Sequence, residues 1–402
     1  MKKSDYMQLP RRLSTLEFAF WSASACYYAY IVLYLSHRGY SNTAIGTIMS
    51  LTAIISIISP PIWGYISDRT KSINKVIAAC ILLTAVSIIV LPFLNQLWAI
   101  TVIMAVIAFT DSPNSPLLDS LVMQNMHRMT NTSYGSIRLW GSIGYAIVAY
   151  AVGVLMEVYG SGIMFISYCF FAIFVIKIVL SLPNPAAEIV EADAVYVTDS
   201  KPSVKVLFSN PRFVLFLVFG SLLFTPHKAS MTFLPQLFNT IHGTSAQLGA
   251  AWFISAASEA PILFLGQRLN ARYKPLQIIL MSSVFFIARQ FIYAFTYAPW
   301  LAILNQILQG LSFGLFLTGT VYYINETAPE GLKATAQAIA TASYMGVSGI
   351  LGNYLGGVVI DRFGIYFMYK AGIILDIIAA LGFMIFLIIF SKKETLEHSS
   401  NP

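Results

Sequence analysis

The chain has 402 residues, of which 57% are hydrophobic and 10% are charged, and its formal net charge at pH 7 is +7. Its mean hydropathy is +0.72, whereas soluble domains are only about 45–50% apolar and about 25% charged. These values exclude a soluble enzyme, a disordered chain and a nucleic-acid-binding domain, and they indicate an integral membrane protein.

The apolar segments suffice for twelve transmembrane helices, because a helix needs about 20 residues to cross the hydrocarbon core. The longest connector, 183–212, opens with Pro-Asn-Pro and is predicted to be a cytoplasmic linker. It separates a six-helix bundle at 1–182 from a second six-helix bundle with a short cytoplasmic tail at 213–402. We therefore predict an all-α integral membrane protein whose two six-helix pseudo-repeats surround a central cavity. The predicted spans are 14–36, 42–66, 74–95, 98–123, 135–158, 161–182, 213–239, 246–268, 276–297, 300–325, 336–360 and 365–390.

The basic residues are distributed unevenly among the predicted loops. Most of the 24 Lys and Arg residues lie on the side that holds both termini. The positive-inside rule then places both termini in the cytoplasm of a multi-pass protein of the cell membrane. The three cysteines lie within apolar runs and show no metal-ligand spacing, so we predict neither a metal nor another cofactor.

Two short sequences recur about half a chain apart. The segment 153–160 (GVLMEVYG), which ends span 5, is echoed by 357–364 (GVVIDRFG) at the end of span 11. The segment 60–69 at the end of span 2 is likewise echoed by 261–270 at the end of span 8. Two echoes at nearly one offset predict duplicated halves related by an axis along the membrane normal.

The loop after span 2 contains Gly64-Tyr-Ile-Ser-Asp68-Arg69. This sequence resembles the loop signature G-x-x-x-D-R/K of the major facilitator superfamily of transporters, and the second-half copy has Asn270 in place of Asp68. The resemblance implies that Gly64, Asp68 and Arg69 form a conformational latch. An acidic side chain at a helix end could make contacts in one conformation that break in the other.

Spans 4 and 5 resemble the branch of that superfamily that holds lactose permease, the nucleoside–proton symporters and the phenylpropionate permeases. The matching sequences are Pro-Leu-Leu-Asp119-Ser and Arg138-Leu-Trp-Gly-Ser-Ile-Gly-Tyr145. The resemblance implies that Asp119 and Arg138 hold the hydroxyl groups of the substrate, that Tyr145 stacks on its ring, and that Arg289 is a further site residue. A carboxylate beside a forked guanidinium suits several hydroxyls or one carboxylate, and the structural alternative is an ion pair that ties the two helices.

Spans 7, 8 and 10 carry the candidates for proton coupling and further substrate contacts. Glu259 in span 8 matches a glutamate of the nucleoside and phenylpropionate relatives, and an ionisable group near the membrane midplane indicates function. His227 is the second candidate because imidazole titrates near physiological pH. Gln306 and Gln309, one turn apart on span 10, are predicted to hydrogen-bond the substrate, although lactose permease has titratable groups on this span. Packing and neutral hydrogen bonds are the structural alternatives.

No nucleotide-binding GxxxxGK[ST] segment and no nucleophile or metal cluster occurs in the sequence. We therefore predict that the protein is not an enzyme but a secondary active transporter, driven by a proton gradient without a cofactor. The predicted function is proton symport of a small polar solute, a sugar, an oligosaccharide or a nucleoside, by alternating access. The predicted protein is a monomer in the lipid bilayer, with the solute and the proton as its partners and no nucleic acid.

Three alternatives remain open. An aromatic carboxylate becomes the substrate if Arg138, Lys228 and Arg289 form a cationic cradle. An exporter or antiporter of the same fold is disfavoured because 141–153 contains no proline. An enzyme acting on lipid-linked substrates is disfavoured because the loops offer only Glu326 and Glu330 beside a proline as an acidic pair.

Overall fold

The computed structural model describes residues 3–126, 129, 132–183, 204–329 and 331–399. All regular secondary structure of these residues is helical. Most of the predicted linker, at 184–203, and Glu330 lie outside the described residues.

Seventeen α-helices follow one another along the described chain. They are supplemented by a 3₁₀ turn at Leu91–Phe93 and by π-helical turns at Gly310–Gly314 and Ala342–Val347. The α-helices are α1 Lys3–Tyr28, α2 Ile31–His37, α3 Asn42–Thr70, α4 Ile73–Val90, α5 Leu97–Asp111, α6 Asn114–Asn125, α7 Tyr134–Tyr159, α8 Ile163–Ser181, α9 Lys205–Ser209, α10 Pro211–Thr240, α11 Ser245–Arg272, α12 Pro275–Ala294, α13 Pro299–Asn305, α14 Leu315–Thr327, α15 Lys333–Thr341, α16 Ser348–Phe363 and α17 Ile365–Ser399.

Among the described residues, eleven helical stretches are long and apolar enough to cross a membrane. The predicted span 336–360 is not among them, although α15, the π turn at Ala342–Val347 and α16 together cover it. The prediction of an all-α membrane protein with many spans is confirmed.

The first and fourth predicted spans are also interrupted. The predicted span 14–36 breaks between α1 and α2. At this break the backbone N–H of Tyr30 donates a hydrogen bond to the carbonyl of Tyr27 at 3.2 Å. The predicted span 98–123 breaks between α5 and α6 at Pro113, which has no N–H to donate to a continuing helix.

The described helices pack into two compact units. Unit 1 comprises the described residues of Met1–Tyr40, Ile48–Tyr196 and Gly243–Ala257. Unit 2 comprises those of Ser41–Thr47, Val197–His242 and Ser258–Pro402. Consequently the first residues of α3, up to Thr47, belong to unit 2 and the rest of α3 belongs to unit 1. The first part of α11, up to Ala257, belongs to unit 1 and the rest belongs to unit 2. The predicted chain halves, 1–182 and 213–402, stay a prediction.

In unit 1, α1 packs along α7 and α8, and α4 packs against α5 and α8. Small residues permit the α1–α7 contact. A Cβ at Gly144 would lie 2.9 Å from Ser22 Oγ and would press on the carbonyl of Phe18. Because lipid is as apolar as a protein interior, such close packing, rather than transfer from water, stabilises the contact.

In unit 2, an aromatic core lies where α10, α12, α14 and α17 meet. Phe224 and Phe316 have ring centroids 4.5 Å apart, and Phe216, Phe286 and Phe383 extend the same cluster. This core fixes the position of α12 and of the polar side chains that α12 carries.

Candidate substrate and proton sites

A polar cluster in unit 1 joins α1, α6 and α7. The guanidinium carbon of Arg138 lies 4.2 Å from the centroid of the Trp21 ring, in a cation–π arrangement. Trp21 Nε1 donates a hydrogen bond to Glu17 Oε2 at 3.1 Å. Tyr134 donates its hydroxyl to Asp119 Oδ1 at 2.8 Å. The predicted pair Asp119 and Arg138 therefore lies in one cluster, but their contacts run to different partners.

Glu17 is the buried acid of this cluster. It is 1% exposed, and its Oε1 is buried without a hydrogen-bond partner. The charges of Arg138 and Asp119 both act on it. Sequence reasoning missed Glu17 and Trp21, although an acidic residue inside the predicted span 14–36 was a usable signal. The cluster thus offers two carboxyl groups, one guanidinium and one indole ring.

The spacing along α7 positions Arg138 but separates it from Tyr145. A Cβ at Gly141 would lie 2.8 Å from a guanidinium nitrogen of Arg138 and 3.0 Å from Trp21 Nε1, so glycine leaves the room that both side chains occupy. Tyr145 lies two turns after Arg138 on α7 and is half-buried. It interacts electrostatically with Tyr30.

A second polar network, in unit 2, is centred on Arg289 of α12, which is 3% exposed. One guanidinium nitrogen, Nη1, donates to Gln309 Oε1, lies 3.2 Å from Ser312 Oγ and lies 3.5 Å from His227 Nδ1. The other, Nη2, donates to Gln306 Oε1 at 3.2 Å. Sequence reasoning expected Arg289 to find a partner or a substrate, and the structure surrounds it with uncharged acceptors.

The two glutamines extend this network in opposite directions. Gln309 Nε2 donates to Glu259 Oε1 at 3.0 Å, so one side chain connects the arginine to the acid. Gln306 Nε2 donates to the hydroxyl of Tyr293 at 2.8 Å. All five site residues predicted on spans 7 to 10 are therefore connected in one network, whereas the contact with Tyr293 was not predicted.

The backbone is irregular where the network forms. The helix of the predicted span 300–325 ends at Asn305 and resumes through the π turn Gly310–Gly314. Ser258 of α11 holds this segment, since its Oγ accepts the N–H of Gly310 at 3.0 Å and donates to the carbonyl of Gln306 at 3.2 Å. π turns are frequent at functional sites, and broken helices in transporters often line binding sites.

The predicted latch residues lie at the end of α3. Asp68 and Arg69 are exposed, and the guanidinium carbon of Arg69 lies 5.2 Å from the centroid of the Tyr65 ring. Nothing lies within 4 Å of the position that a Cβ at Gly64 would take, so packing does not require a glycine here. The latch role of these residues stays a prediction.

The residues that the structure describes contain no group of three or more His, Cys, Asp or Glu side chains that could hold a metal ion. The buried ionisable side chains are instead divided among the two polar clusters and a few single positions such as Asp111 and Asp376. The helical membrane fold and these two clusters define the class of the protein, which is a secondary transporter.

Residues 11–371 match the MFS_1 like family, and the chain belongs to this family of the major facilitator superfamily. The chain is therefore a membrane transporter and not an enzyme, and the resemblance inferred from the loop and span motifs is confirmed.

Relatives and solved structures agree with this assignment. The chain is 28% identical over 355 residues to the maltose permease of Geobacillus stearothermophilus, covering 88% of each chain. It is 24% identical over 374 residues to the nucleoside permease NupG of Escherichia coli, covering 87% of each chain. The crystal structure of nucleoside transporter NupG matches with a TM-score of 0.81 at 19% identity, covering 94% of this chain and 98% of that one. The D-xylose–proton symporter matches with a TM-score of 0.68 at 13% identity, covering 95% and 97%.

Proposed function

We propose that the protein is a proton-coupled symporter that imports a neutral, polyhydroxylated solute by alternating access. A sugar or oligosaccharide is the first substrate class and a nucleoside is the second. The names of the relatives, maltose permease and nucleoside permease, support both classes. The proton gradient supplies the energy, and no cofactor is required.

The position of Gln309 is the observation that carries the proposal. Its amide accepts from Arg289 and donates to Glu259 Oε1. Protonation of Glu259 changes the hydrogen bonds available to Gln309, and through it those of the buried guanidinium. Hydroxyl groups of a solute can replace the amide on either side. Proton binding and substrate binding are therefore coupled through one side chain, with Gln306 and His227 as the further partners of Arg289.

The unit 1 cluster favours a neutral solute over an anion. The cluster contains two carboxyl groups, those of Glu17 and Asp119, for the single guanidinium of Arg138, so it offers a carboxylate substrate no surplus of positive charge. Hydroxyl groups both donate and accept, and so they suit a mixture of carboxyl and guanidinium groups. The exposed part of the Trp21 ring offers an apolar face to a sugar or a base.

The aromatic-carboxylate alternative depends on unit 2. Arg289 has uncharged hydrogen-bond partners in this structure, and Lys228 is a cation of the neighbouring helix α10. This alternative and the exporter are distinct outcomes of the experiment below. We further propose a monomer in the cell membrane with both termini in the cytoplasm, as the distribution of basic residues predicts.

The experiment is uptake by the purified full-length protein in proteoliposomes with an acidic exterior. Maltose, uridine and 3-phenylpropionate are the probes. We expect maltose or uridine to accumulate above its external concentration, and a protonophore to abolish this accumulation. Accumulation of 3-phenylpropionate alone would establish the carboxylate alternative. Accumulation only when the interior is acidic would establish an antiporter and would overturn symport.

Arg138→Ala tests the substrate site in the same assay. We expect at least a tenfold loss of uptake, because a hydrogen bond to a charged group contributes about 1.5–3 kcal/mol. Lys177→Ala is the matched control, since Lys177 is an exposed cation near the end of α8. Uptake by Arg138→Ala equal to that of the control would remove Arg138 from the site.

A further inference from the structure

Asp376 is a buried acid that neither polar cluster includes. It lies in α17, is 0% exposed, and neither of its carboxyl oxygens has a hydrogen-bond partner. The great majority of buried polar groups in proteins are hydrogen-bonded, so an orphaned carboxyl group requires an explanation. In the sequence it is an acidic residue within the predicted span 365–390.

A comparison with Asp111 in unit 1 shows which hydrogen-bond donors Asp376 lacks. Asp111 is also buried, at 6% exposure, but it accepts hydroxyl hydrogen bonds from Tyr28 at 2.8 Å and from Tyr168 at 3.5 Å. Such donors can hold a carboxylate. Asp376 has none, and an ionised carboxylate without a partner is very costly in an apolar interior. The arrangement around Asp376 therefore suits the neutral, proton-carrying acid.

Arg289 is the charged group that acts on Asp376. Its guanidinium is also incompletely satisfied, because Nε is buried without a hydrogen-bond partner. The acceptors that its other nitrogens use are the uncharged groups of Gln306, Gln309, Ser312 and His227. An acid without donors and a cation that is hydrogen-bonded to neutral groups thus lie in the same unit.

Contacts between α12 and α17 bring these two side chains into register. The rings of Tyr293 and Tyr369 have centroids 4.9 Å apart. One turn further along α17, a Cβ at Gly372 would lie 3.2 Å from Gln290 Cδ. The helices therefore run antiparallel in close contact, and Asp376 follows one turn after Gly372. By this register it lies opposite Phe286, one turn of α12 before Arg289.

Besides α12, α17 packs chiefly against α10 and α16, and α14 touches it through the rings of Tyr323 and Phe386, ten residues beyond Asp376. On α10, His227 lies 3.5 Å from Arg289 Nη1 and is enclosed by aromatic rings, whereas Lys228 faces α16 at Gly352. The acidic and basic side chains of α16, Asp361 and Arg362, are confined to its last turn, and its one tyrosine, Tyr354, is exposed. Arg289 is thus the cation that can pair with an ionised Asp376, and His227 is the neighbouring titratable group.

We propose that Asp376 is a second proton-binding site of unit 2 and that its ionised form is the alternative partner of Arg289. The inference rests on the proposed function, because it assigns Asp376 a role in proton coupling. The proton leaves the carboxyl oxygen to water on the side to which the site is open, and no other bond is made or broken. The resulting carboxylate attracts Arg289 away from Gln309, which frees that amide for Glu259 and the solute.

Infrared spectroscopy of the purified protein tests proton binding without any substrate. A carboxylic acid that lacks hydrogen bonds absorbs at a higher frequency than a hydrogen-bonded acid or a carboxylate. We expect this band at neutral pH in the wild type, its loss in Asp376→Asn, and its retention in Asp361→Asn, the control. Asp361 is an exposed acid whose oxygens accept several hydrogen bonds. A spectrum of Asp376→Asn that keeps the band would overturn the proposal.

Transport of maltose and uridine tests the role in coupling. We expect pH-driven accumulation by Asp376→Asn to be at least tenfold lower than that by the wild type. The variant should still exchange labelled for unlabelled solute at equal pH. Full accumulation by this variant would overturn the coupling role while symport by the wild type stood. Absence of pH-driven accumulation in the wild type itself would instead overturn the proposed function, and the infrared result would still decide whether Asp376 holds a proton.

The variant Asp376→Leu tests whether the carboxyl group serves proton coupling or helix packing. Leucine has a similar size and leaves no unpaired polar atom, so we expect this variant to fold with a thermal midpoint no lower than that of the wild type. Loss of folded protein in both variants would show that the carboxyl group is needed for packing, and it would overturn the proposal.

Discussion

The carboxylate of Asp361 accepts the backbone N–H of Thr43 at 2.6 Å and thereby caps the first turn of α3. Its other oxygen accepts the backbone and side-chain N–H groups of Asn42 at 3.0 and 2.9 Å. The first N–H groups of a helix have no partner within the helix, and the positive end of the helix dipole favours a negative charge. One side chain of α16 therefore satisfies the start of α3 within unit 2.

Unit 1 contains the equivalent contact. Glu157 near the end of α7 accepts the backbone N–H of Ala246 in the first turn of α11 at 2.9 Å. In both cases a glycine precedes the acid by four residues, Gly153 before Glu157 and Gly357 before Asp361. The repeated segments 153–160 and 357–364 thus correspond to a repeated capping contact, which gives a physical reason for their similarity.

Replacing Asp361 by alanine should destabilise the protein by about 1 kcal/mol, the usual value of a helix cap. Asp361→Asn should have a smaller effect, because asparagine keeps one acceptor oxygen but loses the charge. Thermal unfolding of the purified variants at neutral pH measures both. A midpoint of Asp361→Ala equal to that of the wild type would contradict the capping role.

The same contact predicts a dependence on pH. Asp361 lies beyond the predicted span 336–360, and although burial raises its pKa, the hydrogen bonds from Thr43 and Asn42 lower the pKa by more. A carboxyl group with a lowered pKa in the folded state stabilises the protein above its unfolded pKa of about 3.9. That stabilisation is lost as the pH falls through the folded value. The difference between wild type and Asp361→Ala should therefore be complete at pH 7 and shrink below about pH 4. A difference that persists unchanged in acid would contradict it.

The glycines of the repeated segments should not tolerate a side chain. A Cβ at Gly357 would collide with the carbonyl of Asn42, and a Cβ at Gly153 with the carbonyl of Ser245. Overpacking of this kind costs about 1–3 kcal/mol, so Gly357→Ala and Gly153→Ala should each lower the thermal midpoint. The control is Gly162→Ala, because Gly162 has an ordinary helical φ of −60° and nothing lies within 4 Å of its Cβ position. An equal midpoint for all three variants would contradict the close approach.

Composition and span length suffice to predict the membrane fold, because they depend on the sum of many apolar side chains. The interruptions of the helices depend on single residues and were harder to foresee. Pro113 is a visible reason for the break between α5 and α6. No comparable signal marks the break at Tyr30 or the π turn at Ala342–Val347, where Tyr30 and Ser343 hydrogen-bond to neighbouring helices.

The candidate sites likewise combine features that the sequence shows with features that it does not show. Ionisable and amide side chains inside apolar spans are visible in the sequence, so Glu259, Arg289 and Gln309 could be selected before their contacts were known. Which of them touch depends on helix rotation and on the irregular backbone near Gln306, and neither follows from hydrophobic periodicity. Glu17 escaped selection because it lies near the predicted start of its span, where a charged side chain can reach water. Its burial depends on how α1 packs against the neighbouring helices, which the sequence does not show.

Glu17→Gln should distinguish a neutral substrate from an anionic one by the direction of its effect. Glutamine can still accept the N–H of Trp21, so the cluster keeps its geometry and loses one carboxyl group. A hydroxylated solute that hydrogen-bonds the carboxylate should bind about tenfold more weakly, equivalent to about 1.4 kcal/mol. An anion such as 3-phenylpropionate should bind more tightly. Calorimetric titration with maltose, uridine and 3-phenylpropionate measures both, and a tighter complex with the sugar would contradict the assigned role of Glu17.

Glu259→Gln should separate proton coupling from substrate binding. Glutamine is isosteric and its oxygen can still accept the N–H of Gln309, so the network around Arg289 keeps its hydrogen bonds. The variant cannot release or take up a proton at this position, and a symporter without its proton carrier can exchange solute but cannot use the gradient. We expect pH-driven accumulation of maltose or uridine to fall at least tenfold, with exchange at equal pH retained. Lys177→Ala serves as the control for reconstitution. If Glu259→Gln still accumulates solute in response to a pH gradient, Glu259 is not the essential proton carrier, and Asp376 becomes the remaining candidate among the buried acids of unit 2 that the structure describes.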